Sequence, residues 1–134
     1  EWKSGRTFAF MIAHKDDPSR FIGKIALSGV MRGAMHGAYL GYWMDVDHQR
    51  SGLCTEGIAA VMDFAFGPAE LHRLQAAIMP RNAASLRVIE KLEFRREGYA
   101  ERYLQIAGRW EDHILFAKTS EEHVGAELPD RAAI

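Results

Sequence analysis

The sequence has a single cysteine, no marked excess of either charge and no apolar run long enough to cross a membrane. Cys54 alone forms no disulfide within the chain and gives no cysteine framework for a metal. The 17 Lys and Arg residues against 18 Asp and Glu residues give a net charge of −1, whereas proteins that bind nucleic acid through phosphates carry a basic surplus. No apolar segment approaches the roughly 20 residues that span a bilayer, and we expect no signal peptide. These absences predict a reduced, cytoplasmic protein with no direct DNA binding and no membrane contact.

The length and composition predict one globular domain. A chain of 134 residues falls within the ordinary size of one domain, and 48% hydrophobic with 26% charged residues is typical of a folded chain. The chain opens at Glu1 rather than at Met, and residues 7–13 already predict a strand. We therefore expect either a trimmed chain or a first part that is missing from it.

Hydrophobic periodicity predicts the order β-β-β-α-β-α-β-β, an α+β domain with a mixed sheet. The strands are predicted at residues 7–15, 21–30, 38–46, 71–79, 99–106 and 109–118. The first helix is predicted from helical spacing of Ile58, Val61, Met62 and Ala65, and the second from Ser85, Val88, Ile89 and Leu92. The domain is predicted to occupy residues 1–118, and the polar residues 119–134 to form a loose C-terminal tail.

Two polar segments follow predicted strands and open predicted helices. In the first, Gly52 begins a helix after a short polar loop, and such a helix start presents unpaired N–H groups that bind phosphate. Arg50 adds a cation beside it. The alternative is that Ser51 or Thr55 only caps the helix. In the second segment Asn82 is either a helix N-cap or an amide that binds a ligand.

The spacing of these segments is similar to that of a known family. The loop Gln49-x-x-Gly52-x-Cys54 resembles the Q/R-x-x-G-x-G/A acetyl-CoA signature of the GNAT acetyltransferases. Residues 71–76 (LHRLQA), 80–85 (PRNAAS) and 91–99 (KLEFRREGY) resemble the branch that acetylates N-terminal residues of ribosomal proteins, and residues 103–113 (YLQIAGRWEDH) resemble the RimJ type. The resemblance covers residues 7–118. It implies a GNAT fold with a mostly antiparallel sheet, in which the third and fourth strands are parallel and splay around acetyl-CoA.

The resemblance also implies the site residues. Backbone groups of residues 44–46 would hold the pantetheine arm like an added strand, and backbone N–H groups of residues 50–55 would hold the pyrophosphate. The side chain of Asn82 would bond the pantetheine, and Ser85 would lie near the thiol sulfur. The complete set implied for cofactor binding is Met44, Asp45, Val46, Gln49, Arg50, Ser51, Gly52, Leu53, Cys54, Thr55, Asn82 and Ser85.

The chain departs from the family pattern at the residues that would move protons. Ile89 stands where many members have a tyrosine acid, and Tyr39 stands where many have a glutamate base. We therefore expect Ser85 to serve as the catalytic acid, with contact to the cofactor alone as the alternative, and we assign no base. The histidines show no metal-ligand spacing, so no metal is expected.

The expected function is acetyl transfer from acetyl-CoA to an amine, with the N-terminal α-amine of a ribosomal protein as the first choice. A small-molecule amine, such as a polyamine or an aminoglycoside, is the alternative acceptor. A non-catalytic acyl-CoA-binding module is the alternative from another class. The family normally has a strand and two helices before the segment that begins here near Thr7. Those helices form one wall of the acceptor groove, so their absence leaves the acceptor open.

Overall fold

The computed structural model describes residues 6–45, 48 and 52–123. This part of the chain has the predicted order β-β-β-α-β-α-β-β, which is confirmed. The elements are β1 (Phe8–His14), β2 (Asp17–Met31), β3 (Gly37–Met44), α1 (Leu53–Phe66), β4 (Arg73–Ile78), α2 (Ala83–Lys91), β5 (Arg95–Ile106), β6 (Arg109–Thr119) and a short 3-10 helix (Ser120–Glu122).

The six strands form one mixed sheet in the order β1-β2-β3-β4-β6-β5. Neighbouring strands are antiparallel except β3 and β4, which are parallel. Their pairing is short, since only residues 37–39 of β3 pair with residues 73–75 of β4. Beyond Tyr39 and Gln75 the two strands separate, which confirms the predicted parallel pair that splays at one end.

Helix α1 makes the crossover between the two parallel strands and packs on one face of the sheet. Ile58, Val61, Met62 and Ala65, from which the helix is predicted, are all buried. The helix lies close to the strands at Gly57, where a Cβ atom would come within 3.0 Å of a side-chain carbon of Ile25. No helix in the described residues is long and apolar enough to span a bilayer.

Strands β2 and β5 begin earlier than the sequence predicts. Strand β2 begins at Asp17 rather than at residue 21. Its first residues include Pro18, which has no N–H to donate, and the proline fits there because the pairing of β2 with β1 is irregular near the hairpin. Strand β5 begins at Arg95 rather than at residue 99 and lies at the edge of the sheet. Charged residues are common on edge strands, so the apolar alternation that reveals a strand is missing there.

The residues directly after Lys118 pack on the domain, whereas the sequence predicts a loose tail from residue 119. Thr119 ends β6 and residues 120–122 form the 3-10 helix. His123 is buried, its ring lies 5.1 Å from that of Phe66, and its Nε2 atom lies 2.6 Å from Oδ1 of Asp63. These contacts tie the end of β6 to helix α1. Hydrophobic periodicity did not predict these contacts, because both are made by His123, a polar residue.

Candidate functional site

A cavity of about 160 Å³ lies in the splay, on the face of the sheet that carries the helices. Its walls come from the last residues of β3, the first turn of α1 and the first half of α2, including Tyr42, Met44, Cys54, Asn82, Ser85 and Val88. None of the described residues that line it carries a charge. The cavity therefore suits an uncharged, partly apolar chain.

The backbone of strand β3 faces the splay at Met44 rather than at Asp45. The N–H of Asp45 donates to the carbonyl of Ile22 on β2 at 2.7 Å, and its carbonyl accepts from the N–H of His48 at 2.8 Å. Successive residues of a strand direct their backbone groups to opposite neighbours, so the N–H and carbonyl of Met44 point toward the splay. Both backbone groups of Asp45 are therefore engaged within the domain.

Helix α2 is positioned by Asn82, which is its N-cap. The Oδ1 atom of Asn82 accepts a hydrogen bond from the N–H of Ser85 at 3.1 Å. The Nδ2 group has no hydrogen-bond partner among the described residues, and the side chain lines the cavity. The two alternative interpretations of Asn82 are thus compatible, since one side-chain atom caps the helix and the other is available to a ligand.

Tyr42 crosses the splay from β3 to α2, and sequence reasoning missed it. Its hydroxyl donates a hydrogen bond to the backbone carbonyl of Ser85 at 3.1 Å. Burial raises the pKa of Tyr42 well above its ordinary value, and burial also raises the pKa of the Cys54 thiol. Both groups are therefore neutral near pH 7. The sequence could have indicated this role, because the strand period of two puts Tyr42 on the same face of β3 as Met44.

A second cleft, of about 210 Å³, adjoins the cavity and shares Cys54 and Val88 with it. It opens at the start of α1, where Gly52 has a φ of 82° and a Cβ atom would meet nothing within 4 Å. The first hydrogen bond of the helix runs from the N–H of Glu56 to the carbonyl of Gly52 at 3.0 Å. The N–H groups of Cys54 and Thr55 therefore have no acceptor within the helix.

Arg87 and Lys91 line the second cleft from helix α2. They lie four residues apart and so project from the same face of the helix. Neither forms an ion pair with another described residue. The cleft thus combines two cations with the N-terminal end of α1, an arrangement that favours phosphate groups. Sequence reasoning missed both residues, although their spacing on a predicted helix was a usable signal.

The structure brings together most of the predicted site residues that it describes. Met44, Cys54, Asn82 and Ser85 line the cavity, and Gly52, Cys54 and Thr55 line the second cleft. Leu53 is the first residue of α1. Asp45 lines neither the cavity nor the second cleft. The other four predicted residues lie outside the described residues: Val46, Gln49, Arg50 and Ser51.

A third cleft, of about 200 Å³, lies on the opposite face of the sheet beside the last pair of β3 and β4. Tyr39, Gln75, Glu97 and Tyr103 line it. Glu97 is paired with Arg73 and Arg95, which lowers the pKa of its carboxyl group. The residues that line this cleft therefore offer no unpaired carboxylate.

Asp112 locks the hairpin between β5 and β6. Its carboxylate accepts hydrogen bonds from the hydroxyl of Tyr99 at 2.7 Å and from the N–H of Arg102 at 2.9 Å. The ring of the neighbouring His113 is buried, and its Nδ1 atom lies 2.9 Å from the carbonyl of Glu111. Within the described residues, no group of three or more His, Cys, Asp or Glu side chains could hold a metal ion.

The fold of this chain is that of a known family. Residues 1–95 match the family model described as an acetyltransferase (GNAT) domain, which is more than half of the 134-residue chain. The chain belongs to the GNAT acetyltransferase family. GNAT acetyltransferases use acetyl-CoA as the acetyl donor.

Two curated relatives are similar to most of the chain. A probable N-acetyltransferase of Bacillus subtilis, YjcK, is 44% identical over 98 residues, which cover 73% of this chain and 54% of that protein. The ribosomal protein uS5-alanine N-acetyltransferase of Escherichia coli is 37% identical over 120 residues, which cover 90% of this chain and 61% of that protein. The chain therefore spans less than two thirds of the length of these relatives.

Two solved structures share the fold closely. The ribosomal-protein-S5-alanine acetyltransferase of Vibrio fischeri superposes with a TM-score of 0.86 at 34% identity, covering 92% of this chain and 67% of that chain. RimJ of Mycobacterium smegmatis, solved in complex with CoA-disulfide, gives a TM-score of 0.86 at 34% identity and covers 98% of this chain and 61% of that chain. The GNAT fold and the resemblance to the RimJ type are confirmed.

Proposed function

We propose that this chain carries the catalytic domain of an acetyl-CoA-dependent N-acetyltransferase that acts on the N-terminal α-amine of a protein. The observation that carries the proposal is the pair of adjoining clefts in the splay. One has no charged residue among its described lining residues, and the other is flanked by Arg87 and Lys91. Acetyl-CoA has two matching parts, which are an uncharged arm that ends in the thioester and a nucleotide that carries phosphates.

The donor would lie along β3 with its thioester deep in the splay. The backbone of Met44 would pair with the pantetheine arm, and the Nδ2 group of Asn82 would donate to one of its amide carbonyls. The phosphates would occupy the second cleft, near Arg87, Lys91 and the first N–H groups of α1. Gln49, Arg50 and Ser51 are assigned to the pyrophosphate from the resemblance alone.

The chemistry is attack of a neutral amine on the thioester carbonyl. A free α-amine has a pKa near 7.7–8.0, so much of it is neutral near pH 7, whereas a lysine ammonium with a pKa near 10.4 is almost fully charged. Positioning therefore supplies much of the rate enhancement. Ser85, which lines the cavity, would protonate the leaving thiolate or relay a proton to it from water.

The acceptor would approach through the third cleft, on the opposite face of the sheet. That cleft lies beside Tyr39 and Gln75, directly where β3 and β4 begin to separate, so an amine there would have a short path to the thioester. Among the described residues that line it, Glu97 carries the one carboxylate, and Arg73 and Arg95 hold that group. A polycationic small molecule would need unpaired carboxylates, so this feature favours a protein N-terminus.

A ribosomal protein is the proposed class of acceptor, and a cytoplasmic location follows from it. The support comes from relatives, because both the E. coli protein and the Vibrio fischeri structure carry the name of an acetyltransferase for alanine on a ribosomal protein. Spermidine acetyltransferases share the fold at only 18% identity, which supports the architecture and not the acceptor.

Turnover of acetyl-CoA with a panel of acceptors tests the proposal. The panel contains a peptide that begins with alanine and lacks lysine, the same peptide with a blocked N-terminus and one internal lysine, spermidine and an aminoglycoside. We expect the acetyl group only on the first peptide. Transfer to spermidine or the aminoglycoside alone would establish the small-amine alternative. CoA binding with no turnover on any member would establish a non-catalytic module.

A further inference from the structure

Two irregularities in β5 bring side chains into the third cleft. The pairing of β5 with β6 shifts register at Glu97 and again between Ala100 and Leu104. Glu97 and Tyr103, which lie within these irregularities, are the residues that β5 contributes to the described lining of the cleft. Such β-bulges are common beside active sites, where they redirect a side chain. The lining that β5 supplies thus comes from its bulges and not from its regularly paired residues.

The second bulge moves Tyr103 to the face of the sheet opposite the helices. Ala100 and Leu104 flank this bulge, and their partners on β6 lie at even spacing before Leu115, which lines the third cleft. Ala100 and Leu104 therefore lie on the face of the cleft, and regular alternation would put Tyr103 on the helix-bearing face. Tyr103 lines the third cleft instead, because Arg102 directly before it has a φ of 47°, in the left-handed region.

Asp112 holds the second bulge in place. Its carboxylate accepts hydrogen bonds from the N–H of Arg102 at 2.9 Å and from the hydroxyl of Tyr99 at 2.7 Å. These two bonds lower the pKa of the carboxyl group, so it is ionised near pH 7 and both bonds are charge-assisted. A residue other than glycine stays in the left-handed region only where its surroundings hold it there. Asp112 thus fixes the backbone directly before Tyr103.

The ring of Tyr103 is supported from one side and accessible from the other. Its centroid lies 5.8 Å from that of the buried His113 ring, and the Nδ1 atom of His113 lies 2.9 Å from the carbonyl of Glu111. The Tyr103 side chain is 38% exposed, and its hydroxyl forms no hydrogen bond with another described residue. The ring is therefore positioned in the cleft before a ligand binds, which lowers the entropic cost of binding.

We propose that Tyr103 is a specificity-determining residue whose ring packs against the acceptor chain directly after its α-amine, and that Asp112 is the positioning residue that holds Tyr103 there. The inference rests on the proposed entry of a protein N-terminus through the third cleft. Tyr39 lines the same cleft, and Ala77 and Leu115 add apolar surface. Such a lining suits the first residues of a polypeptide, and a small amine that lacks these residues would gain nothing from Tyr103.

The ring is the part of Tyr103 that the proposal uses. Buried tyrosine rings are among the side chains whose truncation costs most at an interface. For Tyr103→Ala we expect the dissociation constant of an acceptor peptide to rise about tenfold. Tyr103→Phe keeps the ring, so its dissociation constant should stay within about twofold of the wild-type value. CoA affinity should not change in either variant, since Tyr103 lies on the face opposite the cavity.

The test measures peptide binding to the intact chain saturated with CoA, which carries no acetyl group and gives a complex without turnover. The probe is a peptide that begins with alanine and lacks lysine, titrated by calorimetry. Asp112→Ala should weaken its binding about three- to tenfold in the wild-type background and add nothing in the Tyr103→Ala background. Asp112→Asn keeps one acceptor oxygen and should restore part of the affinity.

Leu104→Ala is the matched control and should bind the peptide as the wild type does. Leu104 adjoins Tyr103 and is similarly exposed, but it pairs in register with β6. Peptide binding that is absent from the wild type, or equal in the wild type and Tyr103→Ala, overturns the proposal. An equal loss in Leu104→Ala overturns it as well, since that result indicates general damage to the hairpin. Additive losses from Asp112→Ala and Tyr103→Ala overturn the positioning role of Asp112.

The comparison of Tyr103→Ala with Leu104→Ala remains decisive if Asp112→Ala does not fold. This inference and the proposed function also fail separately. Peptide binding that depends on Tyr103, without acetyl transfer to any acceptor, would support the inference and refute the proposed function. Acetyl transfer to the peptide with the same KM in the wild type and Tyr103→Ala would do the reverse.

Discussion

Tyr39 and Gln75 are the last residues at which the parallel strands β3 and β4 remain paired. On one face of the sheet this pair borders the third cleft, and beyond it on the other face lies the cavity that contains Tyr42 and Ser85. Beyond this pair the two strands are no longer hydrogen-bonded to each other, which leaves an opening in the sheet between them. In the proposed function the acetyl donor and the amine meet at this opening.

Substitution of Gly52 should prevent CoA binding at the start of α1. A valine side chain there would project into the open space of the second cleft and keep phosphate away from the backbone. For Gly52→Val we expect a loss of CoA affinity of more than about tenfold, or roughly 1.4 kcal/mol. Calorimetric titration with CoA measures it.

The control for this variant is Gly108→Val in the β5–β6 turn. Gly108 also has a φ of 82° and open space at its Cβ position, so both variants carry the same backbone strain. The control should lose similar stability on thermal unfolding and bind CoA as the wild type does. If Gly52→Val kept full CoA affinity with an intact fold, the assignment of the phosphate site would be wrong.

Removal of the cations on α2 should weaken binding of the nucleotide part of the donor. For Arg87→Gln and Lys91→Gln we expect about three- to tenfold weaker CoA binding each, because charge-assisted bonds to phosphate are lost at an exposed site. The loss should shrink as salt is raised, and binding of pantetheine should not change. Lys24→Gln, on β2, is the control with the same charge change. Equal effects of Lys24→Gln would show that only the net charge matters.

Loss of the Ser85 hydroxyl should reduce the rate of the chemical step. We predict that Ser85→Ala lowers kcat by about 100-fold, the low end for general acid–base catalysis, because the thiolate is an easy leaving group. The KM for acetyl-CoA should rise less than kcat falls. The N-cap bond is unaffected, since it uses the backbone N–H of Ser85. Should KM rise while kcat stays constant, Ser85 would be a cofactor contact only.

Glu122 should make the stability of the domain sensitive to acid. Its carboxylate accepts hydrogen bonds from Arg95 and Thr119, which lowers its pKa from 4.5 to about 2. A carboxyl group whose pKa is lower in the folded than in the unfolded chain stabilises the fold at pH values above its unfolded-state pKa. That stabilisation is lost as the pH falls through the folded-state pKa. The difference in unfolding free energy between the wild type and Glu122→Gln should therefore be largest above pH 4.5 and disappear toward pH 2.

The difference should be small because the ion pair is partly exposed, and denaturant titrations at several pH values measure it. A gap that stays constant across this range would contradict the role of the ion pair.

The sequence predicted what local periodicity determines. The buried face of α1 and the N-cap at Asn82 follow from spacing within short segments. The parallel pairing of β3 and β4 was implied by the family resemblance. The sequence did not predict contacts that depend on packing between distant elements. Tyr42 and Ser85 meet only because α2 lies across the splay, and no spacing along the chain encodes that distance. The early start of β5 was missed because edge strands need no apolar alternation.

The most direct test of the central claim is a crystal structure of this chain with CoA bound. The account predicts that the CoA sulfur lies in the cavity near the Ser85 side chain, with the pantetheine arm beside the backbone of Met44. The phosphates should lie in the second cleft, near Gly52 and Arg87. Binding of CoA on the opposite face of the sheet, or with its phosphates away from the start of α1, would contradict the account.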